Sequence, residues 1–196
     1  MYDFIAWLVS AGRWNEWGLA VLPHLTGSQI LELGHGPGHL QLALNIAGYN
    51  AVGIDQSIQM GRLAAKRLTQ YGNQHQLIRG QCQALPFSDM VFNTVVAAFP
   101  TSYIFDKSSI TEIYRVLRPG GKLIFMPAAW ITSTRLLDRL AASIFRITGQ
   151  APQWDEEFST PYLKAGFRVH VDTIETRSSQ VLLVTAEKPA TIIGIS

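Results

Sequence analysis

The sequence predicts an α/β protein with one doubly wound, mostly parallel sheet of seven strands. Short apolar runs alternate with segments whose apolar residues recur at helical spacing, almost to the end of the chain. The first run, "QILEL", leads directly into three glycines at every second position. The last two runs follow each other with no helix between them, which is typical of an antiparallel hairpin. Together these patterns favour helices on both faces of the sheet and a hairpin at its C-terminal end.

Seven segments have the length and composition of strands. In chain order they are "QILEL", "NAVGID", "HQLIRGQ", "FNTVVAAF", "KLIFMP", "FRVHVDTIE" and "SSQVLLVTAEK". The fourth contains Val95 and Val96, whose β-branched side chains favour strands. A turn at 118–121, "RPGG", leads into the fifth, and the hairpin crosses Thr176 and Arg177.

Apolar residues recur at helical spacing in six stretches outside these strands. Two of the six lie between the fifth and sixth strands. The predicted helices span 1–25, 38–47, 57–71, 109–117, 134–148 and 155–165, the last one interrupted near Pro161. Pro23 ends the first, because proline disfavours a helical residue before it. Gly48 and Gly72 end the second and third, as glycine commonly does at the end of a helix.

The length of 196 residues fits a single domain over 1–196 with a core of its own. Residues 1–27 form its helical cap and residues 128–165 a helical insert before the sixth strand. No apolar run approaches the ~20 residues that span a bilayer. The opening "MYDFIAWLVSAG" carries an acid and no basic region, so it is not read as a signal peptide. The single cysteine excludes an internal disulfide, and we expect a cytoplasmic protein.

Charge and histidine placement argue against two classes of function. There are 16 Lys and Arg against 14 Asp and Glu, a net charge of +2, and the basic residues are scattered. No nucleic acid partner is therefore expected. Four of the histidines, His24, His39, His75 and His170, are dispersed along the chain, so no metal site is expected. A membrane-surface role for the 134–148 helix is the less favoured interpretation of that segment.

The glycines after the first strand, Gly34, Gly36 and Gly38, predict a loop that a nucleotide-like ligand approaches closely. A dinucleotide fingerprint would have a sixth-position glycine where this chain has His39, and no phosphate-binding lysine follows. Instead Glu32 precedes the loop, where it would repel a pyrophosphate and attract a cation. S-adenosylmethionine carries a sulfonium and an ammonium, so it fits this acid. A nicotinamide-dependent oxidoreductase remains a disfavoured alternative.

A second acid, Asp55, ends the second strand, 21 residues after Gly34. A carboxylate at this place accepts hydrogen bonds from ribose hydroxyls in nucleotide-binding sheets. Because parallel neighbours end at the same edge, we expect Asp55 and Glu32 to face one cofactor.

With these motifs in place, the chain resembles the class I S-adenosylmethionine-dependent methyltransferases, in particular the small single-domain group called methyltransferase type 11. The likeness covers roughly residues 30–188 and rests on five pieces in order: "LELGHGPG", "VGIDQS" with a methionine following, "GQCQALPF", "FNTVVAAFP" and "EIYRVLRPGGKLIF". The resemblance implies a Rossmann-like fold and S-adenosylmethionine as cofactor, with S-adenosylhomocysteine as its product.

The resemblance also implies site residues. The cofactor residues it implies are Glu32, Gly34, His35, Gly36, Gly38, Asp55, Gln56, Met60, Gln81, Cys82, Gln83 and Phe99. Acceptor contacts are expected from Tyr2, Tyr103 and Trp130. Three positions depart from the family pattern: Gln81 replaces an acid beside the adenine, Asn93 replaces an aspartate, and His35 replaces a smaller residue. Gln81 still offers an acceptor oxygen, and Asn93 is interpreted as a strand-entry residue.

Methyl transfer from a sulfonium is an in-line displacement that depends mainly on positioning. A general base is needed only where the acceptor must lose a proton, and no catalytic dyad is visible, so the catalytic residues stay unassigned. The leading hypothesis is a methyltransferase of a small, apolar molecule such as a quinone or lipid precursor. The competing hypothesis is a non-catalytic binding or partner subunit that keeps the fold.

Overall fold

The structure is a computed structural model that describes residues 14–72, 76–131, 156–176 and 179–190. The predicted cap is therefore described from Trp14 onward, and Tyr2 lies outside the described residues. The predicted helix over 134–148 also lies outside them, as does Arg177 of the hairpin.

Seven strands and five α-helices make up the described chain. The strands are β1 Gln29–Leu33, β2 Asn50–Asp55, β3 Gln76–Arg79, β4 Phe92–Ala98, β5 Leu117–Ile131, β6 Arg168–Glu175 and β7 Ser179–Glu187. The helices are α1 Trp14–Leu19, α2 His39–Ile46, α3 Ile58–Gln70, α4 Lys107–Val116 and α5 Glu156–Lys164. Two short 3-10 helices, Leu22–His24 and Ser102–Phe105, join them.

The seven strands form one sheet in the order β3-β2-β1-β4-β5-β7-β6. Each neighbouring pair among β1 to β5 is parallel, whereas β7 runs antiparallel to both β5 and β6. The predicted mostly parallel sheet with a C-terminal antiparallel hairpin is therefore confirmed. Strand order reverses between β1 and β4, and ligands of such sheets bind outside the carboxyl ends of the strands at that point.

Successive residues of each central strand point to opposite faces, so the sheet carries a core on each side. On one side Leu31, Val95 and Phe125 pack with Tyr162 of α5. On the other side Ile30, Val96 and Ile124 pack with Trp17 of α1 and Leu44 of α2. Helices thus cover both faces, as the alternation of strands and helices predicts.

Asn93 acts where β1 and β4 begin. Its Oδ1 accepts a hydrogen bond from the Gln29 N–H at 3.2 Å, and its side chain occupies the space that a Cβ on Gly27 would need. The neighbouring Thr94 hydroxyl donates to the Thr26 carbonyl at 2.9 Å. These contacts agree with the interpretation of Asn93 as a strand-entry residue.

The "RPGG" segment differs from its prediction as a turn before the fifth strand. β5 already begins at Leu117, which pairs with Phe92, and Lys122 pairs with Thr94, so the segment forms a wide bulge inside the strand. The Gly120 N–H donates to the Lys188 carbonyl at 2.9 Å, and the Lys188 N–H donates to the Gly121 carbonyl at 2.9 Å. These bonds to the chain after β7 keep the bulge in the sheet, and a single-sequence pattern contains no sign of them.

The Lys188 side chain secures the same region. It is 6% exposed, and its Nζ donates to the carbonyls of Tyr114 and Leu117, both at 2.8 Å. Those carbonyls lie at the C-terminal end of α4, where backbone carbonyls have no hydrogen-bond donor within the helix. The bulge, the end of α4 and the residue after β7 therefore form one structural unit remote from the sheet's carboxyl edge.

Candidate functional site

The loop that joins β1 to α2 turns through three glycines with positive φ. Gly36 has φ +51°, and a Cβ there would meet little but open space. Gly38 has φ +81°, and a Cβ there would lie 2.8 Å from the Cβ of Ala64 in α3. Gly38 is therefore required for helix packing, whereas Gly36 keeps space and backbone free at the edge of the sheet.

Asp55 fastens this loop to the end of β2. Its Oδ2 accepts a hydrogen bond from the Gly36 N–H at 2.9 Å, and its Oδ1 accepts one from the Ser57 N–H at 2.8 Å. Ser57 in turn caps α3, because its Oγ accepts from the Met60 N–H at 3.3 Å. A carboxylate has about four acceptor positions, so Asp55 retains capacity for a ligand that donates hydrogen bonds.

A cavity of about 610 Å³ opens at the carboxyl ends of β1, β2 and β4. Seven of the residues predicted for cofactor or acceptor line it: Gly34, Asp55, Gln56, Gln81, Cys82, Gln83 and Tyr103. Thr101 and Ser102, from the segment considered for acceptor recognition, line it as well. The structure therefore brings together residues from four separate stretches of the chain.

Two further lining residues, Phe105 and Asp106, were not among the predicted site residues. Asp106 also caps α4, with its Oδ1 accepting from the Ser108 N–H at 2.7 Å. The sequence contains one signal for the position of Asp106: an aspartate directly before a helical run is a common N-cap. No pattern placed Phe105 at the cavity, because its 3-10 helix is too short to show a period.

The other predicted cofactor residues do not line this cavity. His35 is buried, and its Nδ1 lies 2.7 Å from the Gly36 carbonyl, so its ring braces the glycine loop. Met60 lies in the first turn of α3. Phe99 has φ +49° and packs against Trp17, with ring centres 5.5 Å apart. Trp130, which was predicted as an acceptor contact, does not line the cavity either; it pairs with Gln180 near the carboxyl end of β5.

Glu32 lies beneath the loop and is only 2% exposed. Burial raises the pKa of its carboxyl from 4.5 to about 8; the neighbouring Gln41 amide opposes the rise, and the charge of Asp55 adds to it. Glu32 Oε2 and both side-chain polar atoms of Gln41 have no hydrogen-bond partner within the described part of the chain. The two side chains are thus close neighbours, near enough for the Gln41 amide to favour the charged carboxyl, yet their atoms do not meet in good hydrogen-bond geometry.

Two polar side chains of the cavity stay uncharged at neutral pH. Burial raises the pKa of the Cys82 thiol to about 11, so Cys82 is not a thiolate nucleophile. Burial also raises the pKa of Tyr103, whose hydroxyl donates to the Leu33 carbonyl at 3.2 Å. Across the described ranges no three His, Cys, Asp or Glu side chains come together in a way that would hold a metal ion. None of the described helices is both long enough and apolar enough to cross a bilayer.

Comparison with known proteins identifies the family. Residues 30–121 match a family model described as "Methyltransferase domain". The chain is 31% identical over 195 residues to the ubiquinone/menaquinone biosynthesis C-methyltransferase UbiE of Blochmanniella floridana, covering 93% of this chain and 76% of that protein. It is 33% identical over 132 residues to a demethylmenaquinone methyltransferase of Lactiplantibacillus plantarum, covering 63% of this chain and 56% of that protein.

Solved structures share the fold. A phosphoethanolamine N-methyltransferase of Haemonchus contortus superposes with a TM-score of 0.68 at 18% identity, over 95% of this chain and 56% of that one. A possible histamine N-methyltransferase of Thermotoga maritima superposes with a TM-score of 0.63 at 22% identity, over 95% of each chain. The glycine loop, the acid that ends β2 and these comparisons support a methyltransferase rather than a nicotinamide-dependent oxidoreductase. The chain belongs to the class I S-adenosylmethionine-dependent methyltransferases of the type 11-like group, and S-adenosylmethionine is its cofactor.

Proposed function

We propose that this protein transfers a methyl group from S-adenosylmethionine to a carbon atom of a small, apolar acceptor of the quinone class. The observation that carries the proposal is the alignment along 195 residues with a protein named as a ubiquinone/menaquinone biosynthesis C-methyltransferase. The relative's name supplies the acceptor class, and the cavity at the carboxyl edge of the sheet supports a place for the reaction.

The residues of the carboxyl edge fit the cofactor. Asp55 has acceptor capacity left after holding Gly36 and Ser57, which suits the two hydroxyls of a ribose. Gly36 lets the backbone approach the ligand without a side chain in the way. Glu32, beneath the same loop, suits the cationic part of the cofactor, because a bound cation lowers the pKa of a buried carboxyl and favours its charged form. In this proposal Gln56, Gln81, Cys82 and Gln83, which line the cavity, contact the adenosine.

The remaining predicted residues have supporting roles in the proposal. His35 holds the shape of the glycine loop through its contact with the Gly36 carbonyl. Met60 and Phe99 border the site from the start of α3 and from the end of β4. Tyr103 faces the acceptor, and Trp130 and Tyr2 stay proposed acceptor contacts on the evidence of the resemblance alone.

The cofactor supplies an electrophilic methyl group on a sulfonium. The chain's own residues hold donor and acceptor in line and keep water away, which is the main requirement of such a displacement. Tyr103 and Cys82 remain uncharged in the cavity, so neither removes a proton at neutral pH. The site therefore suits a nucleophilic ring carbon, such as that of a reduced quinone. The new C–C bond would form as the S–C bond breaks, S-adenosylhomocysteine would leave, and the proton of the ring carbon would pass to solvent.

Two measurements test the proposal in sequence. Calorimetry with S-adenosylhomocysteine should show saturable binding to folded protein; absence of binding below millimolar concentration would overturn the cofactor assignment. Transfer of labelled methyl to a reduced demethylmenaquinone with a short side chain should then be detected, and Asp55→Ala should lower its rate at a subsaturating cofactor concentration.

The acceptor needs its own control. A phenol of similar size that lacks the quinone ring should not be methylated. Cofactor binding without transfer to any quinone would remove the proposed acceptor. Absence of transfer to any molecule of a cell extract would favour the competing hypothesis of a non-catalytic subunit.

A further inference from the structure

We propose that the outer surface of α2 and α3 docks on an anionic phospholipid membrane. This surface, called the α2–α3 face here, comprises the outward side chains of α2 and α3 together with Leu19 of α1. The proposal goes beyond methyl transfer and does not depend on the identity of the acceptor.

The first observation is an apolar outer surface on α2. This helix, "HLQLALNI", carries no acidic or basic side chain apart from its first histidine. Its inner face buries Leu40 and Leu44, as expected for a helix on a sheet. Its outer face presents Leu42, Ala43 and Ile46, and Ile46 is 68% exposed. Besides His39 and Asn45, these apolar side chains make up most of the outer surface of the helix, where polar residues are expected on a helix facing water.

The second observation is a groove beside these residues. A cavity of about 520 Å³ lies between α1, α2 and the end of α3, and its walls are mostly apolar. Leu19 of α1 and Tyr71 after α3 line it and are 47% and 64% exposed. Leu63 is half exposed and lies one helical turn from Arg67, which also lines the groove. Large apolar side chains exposed in one contiguous area mark a contact surface.

The third observation is the sign of the charge. Between Gly34 and Ser88 the sequence contains four Arg and Lys residues but a single acid, Asp55, which the carboxyl edge of the sheet uses. Arg62 and Lys66 are exposed on α3, and Arg67 adds a third cation while one of its nitrogens donates to the Pro37 carbonyl.

Cations mixed with exposed aliphatic and aromatic side chains are the composition of a surface that binds anionic lipid. The apolar groups enter the boundary between headgroups and acyl chains, and the cations stay at the phosphates. A second copy of the chain fits less well, because it would bring a second set of the same cations into the contact, and this face offers few acids to pair with them. A nucleic acid would use the cations but leave the apolar groove without a role.

Vesicle binding by the full chain tests the proposal directly. In a flotation assay, we expect the wild-type protein to rise with vesicles of phosphatidylcholine and phosphatidylglycerol. It should remain in the dense fraction when the vesicles contain phosphatidylcholine alone. The double variant Arg62→Glu, Lys66→Glu should lower the bound fraction about tenfold or more, since each basic residue near an anionic surface contributes to binding. Ile46→Ser should weaken binding at high salt, where the apolar contribution remains.

Matched controls lie in α5 and at the start of β6, outside the α2–α3 face. Lys164→Glu with Arg168→Glu makes the same change in charge, and Leu163→Ser removes an aliphatic side chain that is 54% exposed. These variants should bind vesicles like the wild type, and circular dichroism should show that all variants are folded. Absence of binding to anionic vesicles, or an equal loss in the controls, would overturn the proposal. Binding to single-stranded DNA that matches vesicle binding and ignores Ile46→Ser would also overturn it, in favour of a polyanion site.

Discussion

The Asp55 carboxylate accepts a hydrogen bond from the Gly36 N–H at 2.9 Å and so joins the end of β2 to the glycine loop that follows β1. Two motifs separated by 19 residues therefore act as one unit. The same carboxylate positions the start of α3 through the Ser57 N–H. One side chain thus shapes the loop and, in the proposed function, offers its remaining acceptor positions to the cofactor.

Asp55→Ala should weaken S-adenosylhomocysteine binding by about 1–3 kcal/mol, because it removes the proposed ribose contacts and frees the loop. Calorimetry at one fixed pH measures this. Asp172→Ala serves as the control, since Asp172 is an exposed acid on β6, remote from the site. Equal affinities for the two variants would mean that the cofactor is held elsewhere.

Three Gly→Ala variants separate backbone strain from ligand contact. Gly48 has φ +82°, and a Cβ added there would have no atom within 4 Å, so its variant should show only the cost of the left-handed conformation, about 1–2 kcal/mol. Gly38→Ala should cost more in urea unfolding, because its Cβ would collide with Ala64. Gly36→Ala should resemble Gly48→Ala in stability and yet lose cofactor affinity.

The test compares Gly36→Ala with Gly48→Ala in stability and in cofactor affinity. If both variants bind S-adenosylhomocysteine as the wild type does, the loop backbone is not approached by the ligand. If Gly36→Ala unfolds as readily as Gly38→Ala, packing rather than ligand access explains the residue.

Stability should depend on pH through Glu32, whose pKa is raised from 4.5 to about 8 in the folded chain. The folded state binds the proton more tightly than the unfolded state, so this contribution is complete below pH 4.5 and is lost as pH rises to about 8. The Glu32→Gln side chain cannot ionise, so this variant should not lose stability through position 32 as pH rises. Its free energy of unfolding, relative to the wild type, should therefore rise between pH 5 and pH 9.

Urea unfolding without cofactor at pH 5, 7 and 9 measures this difference. Glu157→Gln on α5 changes the net charge equally at an exposed position and should not reproduce it. A constant difference between wild type and Glu32→Gln across this range would show that Glu32 is ionised in the folded protein.

Tyr103→Phe should lower the free energy of unfolding by about 0.5–1.5 kcal/mol, because the Leu33 carbonyl loses its hydrogen bond from the hydroxyl. In the proposed function the same change raises KM for the acceptor and leaves cofactor affinity nearly unchanged. Steady-state kinetics with the quinone acceptor and urea unfolding measure the two effects. Tyr71→Phe, at a largely exposed position, is the control. A loss of cofactor affinity instead would move Tyr103 from the acceptor to the cofactor.

Local sequence patterns were sufficient to predict the order of strands and helices and to place the site at the carboxyl edge of the sheet. Alternating strand and helix periods predicted the parallel sheet, because side-chain direction repeats every two residues in a strand and about every 3.6 in a helix. The glycine loop and Asp55 were predicted at neighbouring strand ends, and the structure places them in direct contact. The limits of β5 were not predicted, since its bulge depends on hydrogen bonds to Lys188, 67 or more residues away along the chain.

The sequence by itself thus determined the sheet, its carboxyl edge and the two acids that end neighbouring strands, because each depends on residues close together in the chain. Only the tertiary structure decided which polar groups are left without partners. Gln41 is an ordinary polar residue in the sequence, yet packing of α2 on β1 and β2 buries its amide beside Glu32. Phe99 packs on Trp17, and Phe105, which no sequence pattern marks, lines the cavity. Burial and electrostatic environment are set by side chains that meet only after folding, so the raised pKa of Glu32 has no local signal in the sequence.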